Sequence, residues 1–416
     1  MNRSLTFNKY LPVVLLYFFF NGLFLPEGLL YTSVLAPAFL LWNLNARTIK
    51  HLLAFFAVAF PFIVVHLIDG VEIKYYIRSF VLLLSIYIFL LALHRFLREC
   101  KALRSLYKWI ILVNIAGVGI ALIALAVPAW THRFWYTNAV TGNIITTRLQ
   151  MLTYEPSYYS TLFAPIAMYY YLKMIVLKLP DAKTTAILVT VPLILSLSFG
   201  VILGIAISLG LTLLYGSRSF FSNKRLAVQL LFGSLALLML IGLAIVLFPH
   251  NVFVLRLENV FAGHDTSFNG RTSDSFHLAW QIAKAKSIWF GCGPGQTKII
   301  ALPLFEKFYH YSGFTVDSVG IPNAVGDTLA TLGILGVVIR FGLQAYFFFR
   351  TGVGGNYYRL CLFLFIFIYQ FTGSFITNTA EYVIWVLAFT PGIFEEFDLG
   401  SFYTRQTRYT LAQNGI

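Results

Sequence analysis

Residues 148–177 read RLQMLTYEPSYYSTLFAPIAMYYYLKMIVL, a stretch in which polar and charged side chains give way to a long apolar run. Pro156 and Ser157 mark the change, because proline is favoured in the first turn of a helix. The run that follows is long enough to cross the hydrocarbon core of a bilayer. The stretch therefore predicts a membrane helix whose mouth places Arg148 and Glu155 at the membrane surface.

The rest of the chain has the same apolar character. Its 416 residues are 59% hydrophobic and only 11% charged, against roughly 45–50% apolar and 25% charged in soluble domains. Apolar runs of spanning length, about twelve in all, lie near residues 10–26, 27–44, 52–69, 76–94, 109–128, 157–177, 184–199, 200–216, 226–248, 324–349, 357–377 and 380–395. The sequence thus predicts an all-α polytopic membrane protein.

Basic residues indicate the orientation of these helices. Lys and Arg concentrate in the short loops of one side, which the positive-inside rule assigns to the cytoplasm, together with both termini. The predicted division is 1–248 with the first nine transmembrane helices, 249–323 as a large periplasmic loop, 324–395 with the last three helices, and 396–416 as a cytoplasmic tail. The formal charge of +14 reflects this asymmetry and attraction to anionic lipid, and nucleic acid is not expected as a partner.

Cysteine and histidine usage predicts neither a disulfide nor a metal centre. Cys100 falls inside, Cys361 falls in a span and Cys292 falls outside, so no pair meets on the oxidising side. No Cys or His cluster has the spacing of metal ligands. We therefore expect no metal and no other cofactor.

Charged side chains are few on the predicted outer face, which makes each one informative. They are Arg78, Arg133, Arg148, Glu155, Arg256, Glu258, Arg271, Asp274 and, at the start of the last span, Glu381. Arginine binds phosphate through a bidentate fork, and a carboxylate can accept the proton of an attacking hydroxyl. Several arginines and a carboxylate in an outward cavity suit a lipid-linked diphosphate substrate.

Helical spacing of apolar residues within the large loop predicts a surface helix over about 273–288, with Thr272 or Ser273 as its cap. Arg271 would then stand at the helix N-terminus, where free backbone amides and a guanidinium together favour an anion.

Structural alternatives exist for each of these residues. Glu155 either accepts a proton from a substrate hydroxyl or has a structural role, in which it caps the helix or pairs with Arg148. Arg148 and Arg271 either bind phosphate or anchor the protein to lipid headgroups. Arg340 lies in the middle of a span, so it should face the bundle interior in a structural role.

Aromatic residues near the predicted surface also have two interpretations. Tyr158, Tyr159 and Trp280 could stack on sugar rings, whereas tyrosine and tryptophan are also common in the aromatic belts of membrane interfaces.

Five stretches carry a family resemblance. They are RLQMLTYEPSYYSTLFAPI at 148–166, LSLSFGVILGI at 195–205, RLENVF at 256–261 followed by GRTSDSFHLAW at 270–280, PNAVGDTLATLGILG at 322–336, and FTGSFITNTAEYVIWVLAF at 371–389. Together they resemble the Wzy-type polymerases of bacterial surface polysaccharides, in the O-antigen polymerase and ligase superfamily, and most of all the colanic-acid type. The resemblance implies a GT-C-like membrane fold with short helices in the outer loop.

The resemblance also implies a reaction. A glycan on an undecaprenyl-diphosphate donor would be transferred to an acceptor repeat unit on a second carrier, in the bacterial inner membrane. Glu155 would be the catalytic residue, with Glu381 in reserve, and Arg148, Arg271 and Arg256 would bind the diphosphate. The partners implied are the lipid-linked donor and acceptor, membrane lipid and a chain-length regulator protein.

Two departures from the family pattern favour a polymerase over an O-antigen ligase. Pro322-Asn323 stands where many ligases have His-Asn, and Ser198-Phe199-Gly200 stands where ligases often have Ser-Arg-Gly. A flippase of lipid-linked sugars is the alternative from another class. It should spread its charges through the membrane midplane and show two related halves.

Overall fold

A computed structural model describes residues 12–22, 25, 29–100, 102–139, 145–216, 266–316 and 319–399. The helices in chain order are α1 (residues 12–18), α2 (Tyr31–Val34), α3 (Ala36–Asn43), α4 (Ala46–Ile68), α5 (Ile73–Glu99), α6 (Leu103–Ala124), α7 (Pro128–Phe134), α8 (Pro156–Ile175), α9 (Pro180–Ser196), α10 (Phe199–Gly216), α11 (Thr266–Arg271), α12 (Ser273–Lys284), α13 (Thr297–Tyr309), α14 (Ala324–Arg350), α15 (Tyr357–Tyr369) and α16 (Thr379–Phe389). Strands β1 (Trp135–Ala139) and β2 (Ile145–Leu149) precede α8, and the 3₁₀ helices η1 (Val353–Gly355) and η2 (Glu395–Phe397) flank α15 and α16. The predicted span near 226–248 and Arg256 lie outside the described residues.

The described residues are mostly helical, which is consistent with the predicted all-α membrane protein. Helices α4, α5, α6 and α14 are long and apolar enough to cross a membrane, and α9, α10, α15 and α16 contain shorter apolar helices. The prediction near 27–44 differs from the structure, which has the short helices α2 and α3 there in place of one continuous span. The chain is therefore a multi-pass membrane protein whose helices differ in length.

Helix α8 forms the centre of the bundle. Nearly all of its side chains are buried, and it packs against α9, α10, α15 and α16. A helix that is apolar on every face is stable only when neighbours cover all of it. The apolar run after Pro156 thus forms the helix around which the others pack, and its N-terminus is the mouth of the candidate site.

A β-hairpin interrupts the helical pattern just before α8, and the sequence did not predict it. Strands β1 and β2 are antiparallel, with Trp135 opposite Leu149 and Tyr136 opposite Arg148. The Trp135 indole donates a 2.7 Å hydrogen bond to the carbonyl of Ala121 in α6. The hairpin is therefore fixed to the bundle, and it determines where Arg148 points.

Helices α11, α12 and α13 form a unit with a small core of its own, which we call the outer unit after its predicted location. Leu278, Ile282 and Phe305 are buried there together with Cys292 and Ala330 of α14. The predicted helix over 273–288 is shorter than expected, because α12 ends at Lys284. The turn after it is held by Lys286, whose Nζ donates 2.9 Å hydrogen bonds to the carbonyls of Asp69 and Gly70 at the end of α4.

Helix α14 is kinked at Gly333, and the kink is where the outer unit joins the bundle. Gly333 has a φ of 66°, which only glycine adopts readily. The amide of Ile334 donates to the carbonyl of Ile288 at 2.9 Å, and the amide of Gly293 donates to the carbonyl of Thr331 at 2.9 Å. Residues 288–293 thus pair with backbone groups that lose their helical partners at the kink, because buried backbone N–H and C=O groups need hydrogen-bond partners.

Candidate functional site

Glu155 is the N-cap residue of α8, and Pro156 occupies the first helical position. Its side chain makes no capping hydrogen bond to the backbone. The carboxylate instead accepts a hydrogen bond from the Ser157 hydroxyl through Oε1. The side chain therefore does not have the predicted capping role. Its second carboxylate oxygen, Oε2, makes no hydrogen bond to Ser157.

The cation beside this carboxylate is Arg271. Its Nη2 lies 3.9 Å from Glu155 Oε1, and the two side chains are 38% and 39% exposed. Exposed ion pairs at such a distance contribute roughly 0–1 kcal/mol. The contact therefore brings a carboxylate and a guanidinium together at the mouth of α8 without locking either of them.

Arg148 lies on the same side of the bundle but contacts a different element. Its Nε donates to the carbonyl of Ser196 at 3.1 Å, and its Nη2 lies 3.4 Å from the Ser198 hydroxyl. These serines flank the break between α9 and α10, where Leu197 has a φ of 48°. The serine-rich helix break implied by the family resemblance is thus present, and Arg148 binds a carbonyl that α9 leaves free at its C-terminus.

A chain of hydroxyl groups connects this break to the first turn of α8. Ser160 Oγ donates to Ser196 Oγ at 2.7 Å and approaches the carbonyl of Pro156 at 2.9 Å. Ser160 and Ser196 are fully buried. The break that Arg148 contacts therefore packs against the start of α8, where Pro156 follows Glu155.

Arg271 owes its position to the outer unit. It is the last residue of α11 and is followed by Thr272, the N-cap residue of α12. Thr272 makes no capping hydrogen bond through its side chain, and its hydroxyl donates instead to the carbonyl of Phe268 at 2.8 Å.

Asp274 lies in the first turn of α12, as predicted, and accepts a 3.3 Å hydrogen bond from the Tyr309 hydroxyl. Burial, with Asp274 as a lesser cause, raises the pKa of Tyr309 to about 12, so this hydroxyl keeps its proton at neutral pH.

Glu381 occupies a different environment from Glu155. It is fully buried in the first turn of α16 and forms an ion pair with Arg340 Nη2. Its second oxygen accepts a 2.5 Å hydrogen bond from the Ser374 hydroxyl, and the Trp385 indole donates to the first at 3.2 Å. Arg340 also donates to Gln370 Oε1 at 2.8 Å. Arg340 thus faces the bundle interior, as expected, and the pair joins α14, α15 and α16.

The tyrosines proposed to stack on sugars are buried. Tyr158 accepts a 2.7 Å hydrogen bond from Asn21, and the hydroxyl of Tyr159 donates to Asn114 at 2.9 Å.

Trp280 is 39% exposed, and the ammonium of Lys284 lies 5.6 Å from its ring centroid. Tyr154 was not among the predicted site residues. It is 42% exposed beside Glu155 and packs on Tyr158 with ring centroids 4.6 Å apart. The signal that could have identified Tyr154 as a site residue is its position next to Glu155 in the sequence.

The cysteines are buried and unpaired in the described part of the chain. Within the same ranges no group of three or more His, Cys, Asp or Glu residues is arranged to hold a metal ion. Burial raises the pKa of the Cys292 thiol to about 12, so this thiol is inert at neutral pH because the thiolate is the reactive form.

Comparison with known proteins gives one match. Residues 184–341 match the family model described as O-antigen ligase, Wzy_C, whereas no curated protein and no solved structure matched the chain. The matched region contains the helix break and Arg271, with Glu155 before it and Glu381 after it. It supports the O-antigen ligase and polymerase superfamily, whose members are membrane enzymes of the glycosyltransferase and ligase type. The match also supports a role in polysaccharide assembly at the membrane.

Proposed function

We propose that this protein is a polymerase that joins undecaprenyl-diphosphate-linked repeat units into a surface polysaccharide at the outer face of the bacterial inner membrane. The observation that carries the proposal is the placement of Glu155 Oε1 3.9 Å from Arg271 Nη2, with both side chains partly exposed at the mouth of α8. In such a pair the carboxylate can accept a hydroxyl proton while the guanidinium binds a neighbouring phosphate oxygen. The family match supports a lipid-linked glycan as the substrate class.

The reaction we propose is a single displacement. Glu155 accepts the proton of the acceptor hydroxyl while the hydroxyl oxygen forms a bond to the anomeric carbon of the donor sugar. The bond from that carbon to the diphosphate oxygen breaks, and the carrier diphosphate leaves with the bonding electrons. Arg271 stabilises the charge that develops on this leaving group, which is where fixed positive charge lowers a barrier most.

Arg148 is the second diphosphate ligand in this proposal. Its guanidinium already binds the carbonyl of Ser196 through Nε and approaches the Ser198 hydroxyl through Nη2. Arginine is the side chain best shaped to bind phosphate through a bidentate fork, which supports this role for Arg148 beside the helix break. Arg256 remains a weaker candidate for the same role, and it lies outside the described residues.

The choice of a polymerase over a ligase rests on one of the two sequence departures. The family resemblance leads us to expect an arginine in the helix break of a ligase, where this chain has Phe199. Arg148 reaches the same break from β2, so the absence of that arginine no longer separates the two activities. The other departure still separates them. Pro322 stands in place of the histidine that would activate the acceptor of a ligase, which leaves Glu155 as the proposed base.

The proposed orientation rests on the positive-inside rule. Glu155, Arg148 and Arg271 belong to the outer end of the bundle in this assignment, with both termini in the cytoplasm. Arg104 forms a 2.6 Å ion pair with Glu396, on the side assigned to the cytoplasm. A chain-length regulator protein would meet the polymerase within the same membrane.

Deletion of the gene in its host, followed by a gel of surface polysaccharide, tests the function. Loss of a polymerase leaves single repeat units on the surface. Loss of a flippase leaves no repeat units, and loss of a ligase leaves long polymer that is not transferred to its final acceptor. A ladder of normal length in the deletion strain rejects all three activities.

Replacement of Arg271 tests the phosphate role. We expect Arg271→Ala to lower the polymerisation rate by about a hundredfold to a thousandfold, the usual effect of removing one donor to a developing anion. Arg271→Lys should retain part of the activity, because lysine keeps the charge but loses the bidentate fork. The measurement is the turnover of purified protein with a lipid-linked donor and acceptor.

Arg78→Ala is the matched control, because Arg78 is an exposed arginine at the predicted outer end of α5 and has no proposed role in the site. It should polymerise like the wild type. Near-normal turnover in Arg271→Ala, at wild-type expression, contradicts the assignment.

A further inference from the structure

The side chain of Asn323 lies between the helix that returns to the membrane and the residue that carries the proposed phosphate-binding guanidinium. Asn323 is fully buried and is the N-cap residue of α14. Its Oδ1 accepts a 2.6 Å hydrogen bond from the amide of Gly326, and its Nδ2 donates a 2.9 Å hydrogen bond to the carbonyl of Arg271. Both ends of one amide are thus used, in opposite directions.

These two bonds answer different needs. Capping requires only an acceptor, which Ser, Thr, Asp and Asn supply about equally well. The bond to the Arg271 carbonyl requires a donor as well, and among these residues only asparagine has its acceptor and its donor on two separate atoms of one short side chain. The carbonyl of Arg271 lies at the C-terminus of α11, where helical carbonyls lack partners within the helix. The donor of Asn323 therefore serves Arg271 and not α14.

The helix start that holds Asn323 is itself firmly attached to the bundle. The amides of Ala324 and Val325 donate to the carbonyls of Gly373 and Gln370, each at 3.2 Å. The carboxylate of Asp327 accepts a 2.9 Å hydrogen bond from the amide of Ile376. Position 271 is thus tied through Asn323 to the turn after α15, in addition to its own outer unit.

We propose that Asn323 is a positioning residue that sets the reach of the Arg271 guanidinium toward the diphosphate beside Glu155. The proposal rests on the proposed function of that site. Without the bond to its carbonyl, residue 271 can shift relative to α8, and displacements of about 1 Å at a reacting centre can cost about a hundredfold in rate. Asn323 itself does not contact the substrate in this account.

The test uses Asn323→Asp, which keeps a capping acceptor and loses the donor to Arg271, and Asn323→Ser, whose single hydroxyl oxygen cannot replace an acceptor and a donor on separate atoms. The serine variant adds no charge, so it remains informative if a buried aspartate unfolds the protein. We expect each folded variant to lower kcat/KM with a lipid-linked donor and acceptor by about tenfold to a hundredfold. Near-wild-type kcat/KM in Asn323→Ser overturns the proposal.

Asn45→Asp is the matched control. Asn45 is the N-cap residue of α4, where it accepts from the amide of Thr48 at 2.9 Å and donates to the carbonyl of Asn43 at 3.0 Å. It therefore has the same pattern of bonds as Asn323, in a part of the chain that carries no proposed site residue. Its replacement should leave kcat/KM unchanged.

A double-mutant cycle separates positioning from a general loss of structure. If Asn323 acts through Arg271, Asn323→Ser should cost nothing further in an Arg271→Ala background, measured with a radiolabelled donor. A further loss as large as in the wild-type background shows that Asn323 acts independently, and it overturns the proposal. A wild-type protein that makes no polymer from these substrates refutes the proposed function instead.

Discussion

Replacement of Glu155 by glutamine should lower the rate of polymerisation by about a hundredfold to ten-thousandfold, the usual cost of removing a general base. Glutamine preserves the shape of the side chain and can still accept a hydrogen bond from Ser157, but it cannot take up a proton. The fold should be unaffected, because the Glu155 side chain caps no backbone amide of α8. The measurement is turnover of the purified variant, with single repeat units accumulating on the cell surface.

Glu72→Gln provides the matched control for this experiment. Glu72 is the N-cap residue of α5, and like Glu155 it makes no capping hydrogen bond through its side chain. It is exposed and has no role in the proposed site. We expect it to polymerise at the wild-type rate. Wild-type turnover in Glu155→Gln would show that Glu155 is not the base.

Breaking the buried pair between Arg340 and Glu381 should have the largest effect on stability. We expect Glu381→Gln or Arg340→Met to lower the free energy of unfolding by about 3–5 kcal/mol, because each change leaves the other charge buried without a partner. Glu381 is fully buried, and its oxygens also accept from Ser374 and Trp385. The measurement is thermal unfolding in detergent.

The double variant Arg340→Met with Glu381→Gln separates a structural role from catalysis. Removing both charges abolishes the unpaired ion, so the double variant should regain much of the lost stability, as replaced buried ion pairs often do. Polymerisation should return with it, because Glu381 is not the base in our proposal. A stable double variant that makes no polymer would transfer the catalytic role to Glu381.

Several features of this protein follow from local sequence. The membrane class is determined by apolar runs, because the cost of exposing backbone in hydrocarbon leaves helices as the stable form. The start of α8 at Pro156 was predictable from the proline and the apolar run after it, and the break near Ser196 from the resemblance of its serine-rich stretch. The inward direction of Arg340 follows from the cost of an unpaired charge in a span.

Other features depend on contacts between distant parts of the chain. Helix α12 ends at Lys284 although its apolar spacing continues, and the turn after it is held by the end of α4. The kink of α14 at Gly333 requires backbone partners that residues 288–293 provide. The hairpin of β1 and β2 is held by a contact between Trp135 and α6. Such partners are selected by packing, which overrides local propensity.

The sequence alone indicated that a carboxylate and an arginine stand at the mouth of an apolar helix, because charged groups are expelled from hydrocarbon to the surface. It offered Arg148, seven residues away, as the partner of Glu155. Only the tertiary structure decided that Arg271 takes that place. The hairpin directs the guanidinium of Arg148 to the free carbonyl of Ser196, while Asn323 holds the backbone of Arg271 against α14. Both choices follow from the need of buried backbone groups for hydrogen-bond partners, which periodicity and composition do not reveal.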